Sequence, residues 1–279
     1  MINTGKDHGF LWQNHSKRYG IQNGQINFFK DKHMKWYENE SFWQTFGVVL
    51  FNDSKVEDAK NEVKQLLDLV SIPHHSKILD LGCGVGRHAI ELSLLGFDVY
   101  GLDQSRYLLQ KAKEAALKKQ ANVSWVHNDM RNLSFKTQFE TVMSLWTSFG
   151  YFEAPEDNTK VLDNVFLSLK NGGKFIMELI TLEAFERNRE PVREFNMGEY
   201  TLIETSLYKA GSRKNRFTWT LLKNGKVQAT ETVSHWLYSS DELVNSLKSS
   251  GFKKVKTYGS LSGAKYDDDS HSLVLVSIK

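Results

Sequence analysis

The segment Asp80-Leu81-Gly82-Cys83-Gly84-Val85-Gly86 constrains the fold of this chain more than any other. It follows a short apolar run, Lys77-Ile78-Leu79-Asp80-Leu81, and opens a helical pattern that continues through Leu95 and stops at Gly96. Alternating glycines let a chain turn sharply and bring its backbone against a ligand where any Cβ would intrude. The text after it keeps the same rhythm. Asp98 to Leu102 reads as a second strand, and Leu108, Leu109, Ala112, Ala115 and Ala116 form one helix face. Val123 to Val126 and Thr141 to Trp146 read as strands three and four. A helix from Pro155, with Val161, Leu162, Val165, Phe166 and Leu169 on its apolar side, is capped by Asn171-Gly172-Gly173, and Lys174 to Leu179 makes strand five. Strands alternating with helices of this length imply βαβ units and a parallel sheet covered on both faces.

Two other textures flank that core. The first fifty residues are rich in aromatics without a clear period, and the next helix carries Val56, Ala59, Val63, Leu66, Leu67 and Val70 on one stripe. Ser54 with Glu57 reads as its capping box, and Pro73 ends it. Between about Pro191 and Tyr238 the period becomes two: Tyr200 to Tyr208, Asn215 to Leu222 and Lys226 to Trp236 alternate, with Asn224-Gly225 as a hairpin signal. Ser239 and Glu242 cap a last helix, and Phe252 to Tyr258 and Ser272 to Ile278 close the sheet. The expected organisation is an N-terminal helical lid at 1–70, an α/β core at 71–190, an inserted antiparallel sheet at 191–238, and the rest of the core at 239–279.

Composition narrows the functional classes. Forty per cent hydrophobic and 25% charged residues over 279 positions describe a globular chain, and 3 prolines argue against long linkers. One cysteine, Cys83, excludes a disulfide framework and a multi-thiolate metal site. His74-His75 has no third ligand at metal spacing, so no metal is expected. A net charge of +3, from 36 basic and 33 acidic residues, gives little attraction to a phosphate backbone. No apolar run approaches the roughly 18 residues a membrane span needs, and the first residues lack a signal peptide's apolar region. A cytoplasmic protein that engages neither membrane nor nucleic acid is expected.

Seventeen positions after Gly86, Asp103 ends the second strand, where a carboxylate can accept both hydroxyls of a ribose. Glycine loop and acid together point to an adenosine-bearing cofactor. The dinucleotide fingerprint spaces its glycines Gly-x-Gly-x-x-Gly. Here the spacing is Gly-x-Gly-x-Gly, and Asp80, two residues before Gly82, suits an ammonium or sulfonium better than a pyrophosphate.

Asp80 to Gly86, Asp103, Asn128-Asp129-Met130-Arg131 and Leu169-Lys170-Asn171-Gly172-Gly173 together resemble a class I S-adenosylmethionine-dependent methyltransferase. Trp36 to Trp43, Thr147 to Phe152 and Tyr258 to Gly263 resemble a bacterial small-molecule branch of it; Thr181-Leu182 depart from the Gly-Lys pair expected after strand five. The resemblance implies a doubly wound, Rossmann-like, seven-stranded and mostly parallel sheet. It also implies that Gly82, Gly84 and Gly86 pack against the methionine part of the cofactor and that Asp103 binds its ribose, with Asp80, Cys83 and Gln104 among the cofactor-binding residues. Asp129 would accept from the adenine amino group, with Met130 against the ring face, and Leu145 also belongs to the implied cofactor-binding set. Trp36 and Tyr37 could close over the sulfonium by cation–π attraction, or form an aromatic core beneath the N-terminal segment.

The acceptor would approach across the ends of strands four and five, which nominates Tyr151 as donor or acceptor and Glu178 as base or ammonium partner. His235 is expected to be structural. The reaction implied is methyl transfer to a small molecule, with nitrogen slightly favoured over oxygen or carbon, by a monomer or homodimer. A nucleic-acid methyltransferase and a non-catalytic cofactor-binding regulator stay open as alternatives.

Overall fold

The computed structural model describes residues 35–279. In chain order, a 3-10 turn (Trp36–Glu38) precedes α1 (Glu40–Leu50), α2 (Asp53–Leu69), β1 (Lys77–Leu81), α3 (Arg87–Leu94), β2 (Asp98–Asp103), α4 (Arg106–Lys119) and β3 (Val123–His127). A second 3-10 turn (Met130–Asn132) leads to β4 (Phe139–Ser144), α5 (Pro155–Ser168), β5 (Leu169–Leu179) and α6 (Leu182–Asn188). Then come β6 (Val192–Met197), β7 (Tyr200–Ser206), β8 (Lys214–Lys223), β9 (Lys226–Trp236), α7 (Ser240–Ser249), β10 (Lys254–Tyr258) and β11 (Leu273–Ile278). The described residues divide into two compact units. One holds those up to Leu50 with Arg189–His235, the other Phe51–Asn188 with Trp236–Lys279.

The larger unit is built on the expected seven-stranded sheet, in the order β10-β11-β5-β4-β1-β2-β3. Strands β1 to β5 run parallel, and β11 lies antiparallel to both β5 and β10. The order reverses at β1, between β2 and β4, and in open α/β sheets ligands bind at the carboxyl ends of the strands beside such a switch. Strands buried on both faces read as continuous apolar runs. Ile78, Leu79, Val142 and Ile176 accordingly have no exposed surface. Ala59, Val63 and Leu66 are the buried face of α2, so the stripe read from the sequence packs into this core.

Three local expectations are corrected. The cap of α2 is Asn52, whose side chain accepts from the Lys55 N–H at 3.1 Å, and Ser54 lies inside the helix. An asparagine reaching the third helical amide displaces the later serine. Asn171-Gly172-Gly173 do not cap α5, which ends at Ser168. They lie within β5, where pairing shifts from Phe139↔Leu169 to Thr141↔Lys174. Left-handed Gly172 makes room for that irregularity. Strand β4 stops at Ser144 rather than Trp146, because Trp146 and Thr147 adopt left-handed backbone (φ 61° and 55°) and leave the sheet.

The smaller unit is a four-stranded sheet, β6-β7-β8-β9, joined by the expected Asn224-Gly225 turn with both residues left-handed. Sequence reading finds three of these strands; β6 pairs antiparallel to β7 along its whole length. Phe42, Phe46 and Val49 of α1 pack on Leu202, Phe217, Leu221 and Val233 of this sheet. Here the first segment's aromatics stack: Phe42 meets Phe46 at 4.9 Å and Trp219 at 6.0 Å between ring centroids. His235 is buried against Phe217, and burial lowers its pKa to about 4, so the ring is neutral at physiological pH. Phe28 and Phe29 of the aromatic-rich segment lie outside the described residues.

Candidate functional site

The glycine loop leaves β1 and is held by the end of β2. Gly82 and Cys83 N–H both donate to the Leu102 carbonyl, at 2.8 and 3.0 Å, and Gly86 N–H donates to the Cys83 carbonyl at 2.9 Å. The Asp103 carboxylate accepts from Gly84 N–H at 2.8 Å with one oxygen and from Ser105 N–H at 2.9 Å with the other. A single acid thus fixes both the loop and the start of α4, whose cap is Ser105.

All three glycines are left-handed, and the space beside them is taken. A Cβ on Gly82 would lie 2.9 Å from Ser148 Cβ and 3.5 Å from Met130 Cε, and one on Gly84 would lie 3.2 Å from the Phe51 ring. The loop, the β3 exit carrying Met130 and the β4 exit carrying Ser148 therefore converge on one spot. Phe51 was not singled out from the sequence; its contact joins residues 33 positions apart with no motif to announce it.

Asp80 is 2% exposed, and one of its oxygens, Oδ2, is buried without a hydrogen-bond partner. Burial raises its pKa to about 7, opposed by the Arg87 charge and aided by Asp103. A desolvated carboxylate with one unpartnered oxygen beside a glycine cradle fits a cationic ligand, as the sulfonium and ammonium of S-adenosylmethionine would supply. Because the folded pKa lies above the unfolded value of 3.8, the free protein loses stability as pH rises from about 4 to 7. A cationic ligand favours ionised Asp80, so its affinity should rise with pH through about 7 and its binding should release a proton there. Calorimetry of S-adenosylmethionine in buffers of different ionisation enthalpy measures that proton, and Asp80→Asn should remove it.

The remaining sequence candidates are placed as follows. Cys83 is buried, its thiol pushed well up by burial and the neighbouring acids, which makes it a packing residue. The Gln104 carbonyl bonds the His127 ring at 2.9 Å. Asp129 caps the second 3-10 turn and also holds the Arg131 guanidinium through both carboxylate oxygens, at 3.1 and 3.0 Å from Nε and 2.6 Å from Nη2. Arg131 in turn reaches Asp157 at 2.9 Å and lies over the Phe152 ring at 4.4 Å. Leu145 is buried in the core, and its carbonyl accepts from Ser148 Oγ at 3.0 Å. Trp36 and Tyr37 belong to the smaller unit; the Trp36 indole N–H donates to the Ser234 carbonyl at 3.2 Å, and Tyr37 is 4% exposed.

Tyr151 and Glu178 both lie in the larger unit, past the ends of β4 and near the end of β5. Burial pushes the Tyr151 phenol to about 12, so it stays protonated at physiological pH. Burial also raises Glu178, with the Glu62 charge adding to it and the Trp146 backbone, Arg87 and Ser272 pulling back. Thr181, in place of the expected glycine, accepts from Ala184 N–H at 3.2 Å and caps α6.

Near Glu178 stands a group that the sequence did not reveal. Glu62 of α2 accepts from the Arg87 guanidinium and from His88 Nε2 at 2.6 Å, and Arg87 also donates to the Lys55 carbonyl at 3.0 Å. Burial opposes ionisation of Glu62, but the His88 bond and the Arg87 charge outweigh it and hold its pKa below the usual value. Burial lowers that of His88 despite the Glu62 bond. Arg87 stacks on the Trp146 ring at 4.8 Å, and Lys55 lies over the same ring at 5.4 Å. Left-handed backbone at a bulky and a β-branched residue costs on the order of 1–3 kcal/mol each and is found where surrounding structure or function demands it.

The chain is similar to known methyltransferases. Residues 78–173 match a family model described as a methyltransferase domain. The glycine/sarcosine N-methyltransferase of Aphanothece halophytica is 27% identical over 210 residues, which is 73% of this chain and 76% of that one. A dTDP-3-amino-3,4,6-trideoxy-alpha-D-glucopyranose N,N-dimethyltransferase of Streptomyces venezuelae is 28% identical over 131 residues, 46% of this chain and 54% of that one. Among solved structures, an S-adenosylmethionine-dependent methyltransferase from Clostridium acetobutylicum superposes with a TM-score of 0.70 at 16% identity, covering 85% of this chain and 97% of that one. No helix of the described residues is long and apolar enough to cross a membrane.

Proposed function

We propose that this chain, a class I S-adenosylmethionine-dependent methyltransferase with its methyltransferase domain at residues 78–173, methylates a small molecule, and does so on nitrogen in preference to oxygen or carbon. The observation that carries the nitrogen reading is the reach of one likeness. The match to the glycine/sarcosine N-methyltransferase spans 73% of the chain, far more than the domain that would hold the cofactor. The aminosugar dimethyltransferase adds a second relative with an amine acceptor in its name.

The bound cofactor supplies an electrophilic methyl group on a sulfonium. What the protein must contribute is alignment, exclusion of water and a route for one proton. The glycine loop with Asp80 and Asp103 would fix the cofactor's position. Glu178, raised by burial, is suited to orient an amine and take the proton that the new N–C bond leaves on nitrogen. Tyr151, protonated throughout the physiological range, would donate a hydrogen bond to the acceptor. An alcohol or phenol acceptor would call for a stronger base than these two provide.

The test is product formation. S-adenosylhomocysteine release should be stimulated by primary or secondary amines and not by matched alcohols. Tyr151→Phe and Glu178→Gln should each lower turnover about 10- to 1000-fold, the usual range for acid–base groups. Cofactor affinity should stay within about threefold. Full turnover in both variants would refute the placement of the acceptor. Cofactor binding with no turnover on any amine, alcohol or carboxylate would assign the chain to cofactor-binding regulators instead.

A further inference from the structure

We infer that Trp146 is a positioning residue for Glu178: cations from α2 and α3 pin its indole, and the pinned turn holds two backbone N–H groups on the glutamate. The inference rests on the proposed function for one thing only, the role of Glu178 as the base.

A β4 extended through Trp146, as the sequence predicts, would turn successive N–H groups to opposite sides of the strand, and one of them would miss β5. Instead Trp146 and Thr147 are left-handed, at φ 61° and 55°. Successive residues in helical backbone of either hand turn their N–H groups the same way. Both reach Glu178. Thr147 N–H donates to its carbonyl at 3.1 Å, and the Trp146 backbone hydrogen-bonds its carboxyl group. That donor favours the carboxylate, as do Arg87 and a hydrogen bond from the Ser272 side chain, against burial and the Glu62 charge. Left-handed backbone is disfavoured for tryptophan and for β-branched threonine, so contacts outside the turn must hold it. The indole supplies them. The Arg87 guanidinium carbon lies 4.8 Å from the ring centre and Lys55 Nζ 5.4 Å, and a cation over an indole is attracted by the ring quadrupole. Both cations are themselves tethered. Arg87 Nη1 donates to Glu62 and to the Lys55 carbonyl at 3.0 Å, His88 bonds the same Glu62 oxygen at 2.6 Å, and Lys55 Nζ pairs with Asp58 at 3.7 Å. Ser148 Oγ closes the turn on the Leu145 carbonyl at 3.0 Å. The ring is 38% exposed, so its removal opens no large cavity in the core.

The test is the titration of the Glu178 carboxyl, followed by carbon-13 NMR of protein labelled at the glutamate carboxyl carbons and assigned with Glu178→Gln. Trp146→Phe keeps a ring and should titrate as wild type does. Trp146→Ala loses the ring while its Cβ still disfavours the turn, so the donor leaves and the midpoint should rise. Trp146→Gly also loses the ring, but glycine takes left-handed backbone freely, so its midpoint should fall between the alanine variant and wild type. Both ringless variants admit water equally, and the alanine midpoint standing above the glycine one isolates the backbone. With an amine that stimulates S-adenosylhomocysteine release, kcat should fall about 10- to 100-fold in Trp146→Ala and recover in part in Trp146→Gly. Affinity for S-adenosylhomocysteine should stay within about threefold in both. Equal midpoints in the alanine and glycine variants would overturn the positioning role, whatever the turnover. A chain that methylates no amine would instead overturn the role of Glu178 as base. The titrations need neither cofactor nor acceptor and would still decide whether Trp146 positions that carboxyl.

Discussion

Asp103→Ala should abolish measurable binding of S-adenosylhomocysteine while leaving a folded but weakened protein. The carboxylate holds two buried amides, Gly84 N–H and Ser105 N–H. Stripping an acceptor from a buried donor costs about 1–3 kcal/mol, so the two together cost about 2–6 kcal/mol of stability. If Asp103 holds the ribose as proposed, the variant also forfeits two hydrogen bonds from ribose hydroxyls to a charged group, each about 1.5–3 kcal/mol, or roughly 100- to 10,000-fold in affinity together. Asp103→Asn keeps an acceptor on one side and should recover part of the stability and little of the binding. Calorimetry and denaturant unfolding give both quantities. Affinity within threefold of wild type in a folded Asp103→Ala variant would show that the ribose is held elsewhere.

The second large effect concerns Trp125, which fills the space beside two glycines at once. A Cβ on Gly101 would lie 2.5 Å from its ring, and one on Gly86 would lie 2.4 Å away. Gly101→Ala should therefore cost about 1–3 kcal/mol by overpacking. Gly86→Ala should cost the same and about 1–2 kcal/mol more, because Gly86 is left-handed at φ 75° and Gly101 is not. Adding Trp125→Leu should relieve most of the Gly101→Ala defect but leave the backbone part of the Gly86→Ala defect. The coupling energies from two double-mutant cycles in urea measure that difference. Equal rescue at both positions would mean that the conformation of Gly86 is not what requires glycine.

The parts of the molecule legible in the sequence are those governed by short-range chemistry. Alternating apolar strands and amphipathic helices announced the seven-stranded sheet, and the Ser239–Glu242 capping box marks α7 as read. The glycine loop and Asp103 were legible because turn geometry and a strand-end acid are local signals. Strand β6 was not, since Val192-Arg193-Glu194-Phe195-Asn196-Met197 is nowhere fully buried and so lacks a marked inward face. The Glu62–Arg87–His88 group was hidden for another reason: its members come from two helices 25 residues apart, and no spacing rule links them. Asp129 was nominated for the adenine amino group from its motif; that Arg131, two residues on, donates to both its oxygens is a contact the motif does not announce.

The passage of the chain out of the larger unit and back has a consequence for how such a protein can change. Leu182 N–H, at the start of the last helix before the departure, donates to the Tyr238 carbonyl just after the return, at 2.9 Å. Trp236 is stitched to the β4 exit by its backbone N–H on the Gly150 carbonyl and its indole N–H on the Phe152 carbonyl, both at 2.7 Å. Outgoing and incoming chain are therefore fastened within one seam of the larger unit, and the stretch between them is a cassette with closed ends. Recombination or gradual drift can lengthen, shorten or replace such a cassette while the bonds around Gly82, Gly84 and Asp103 are inherited untouched.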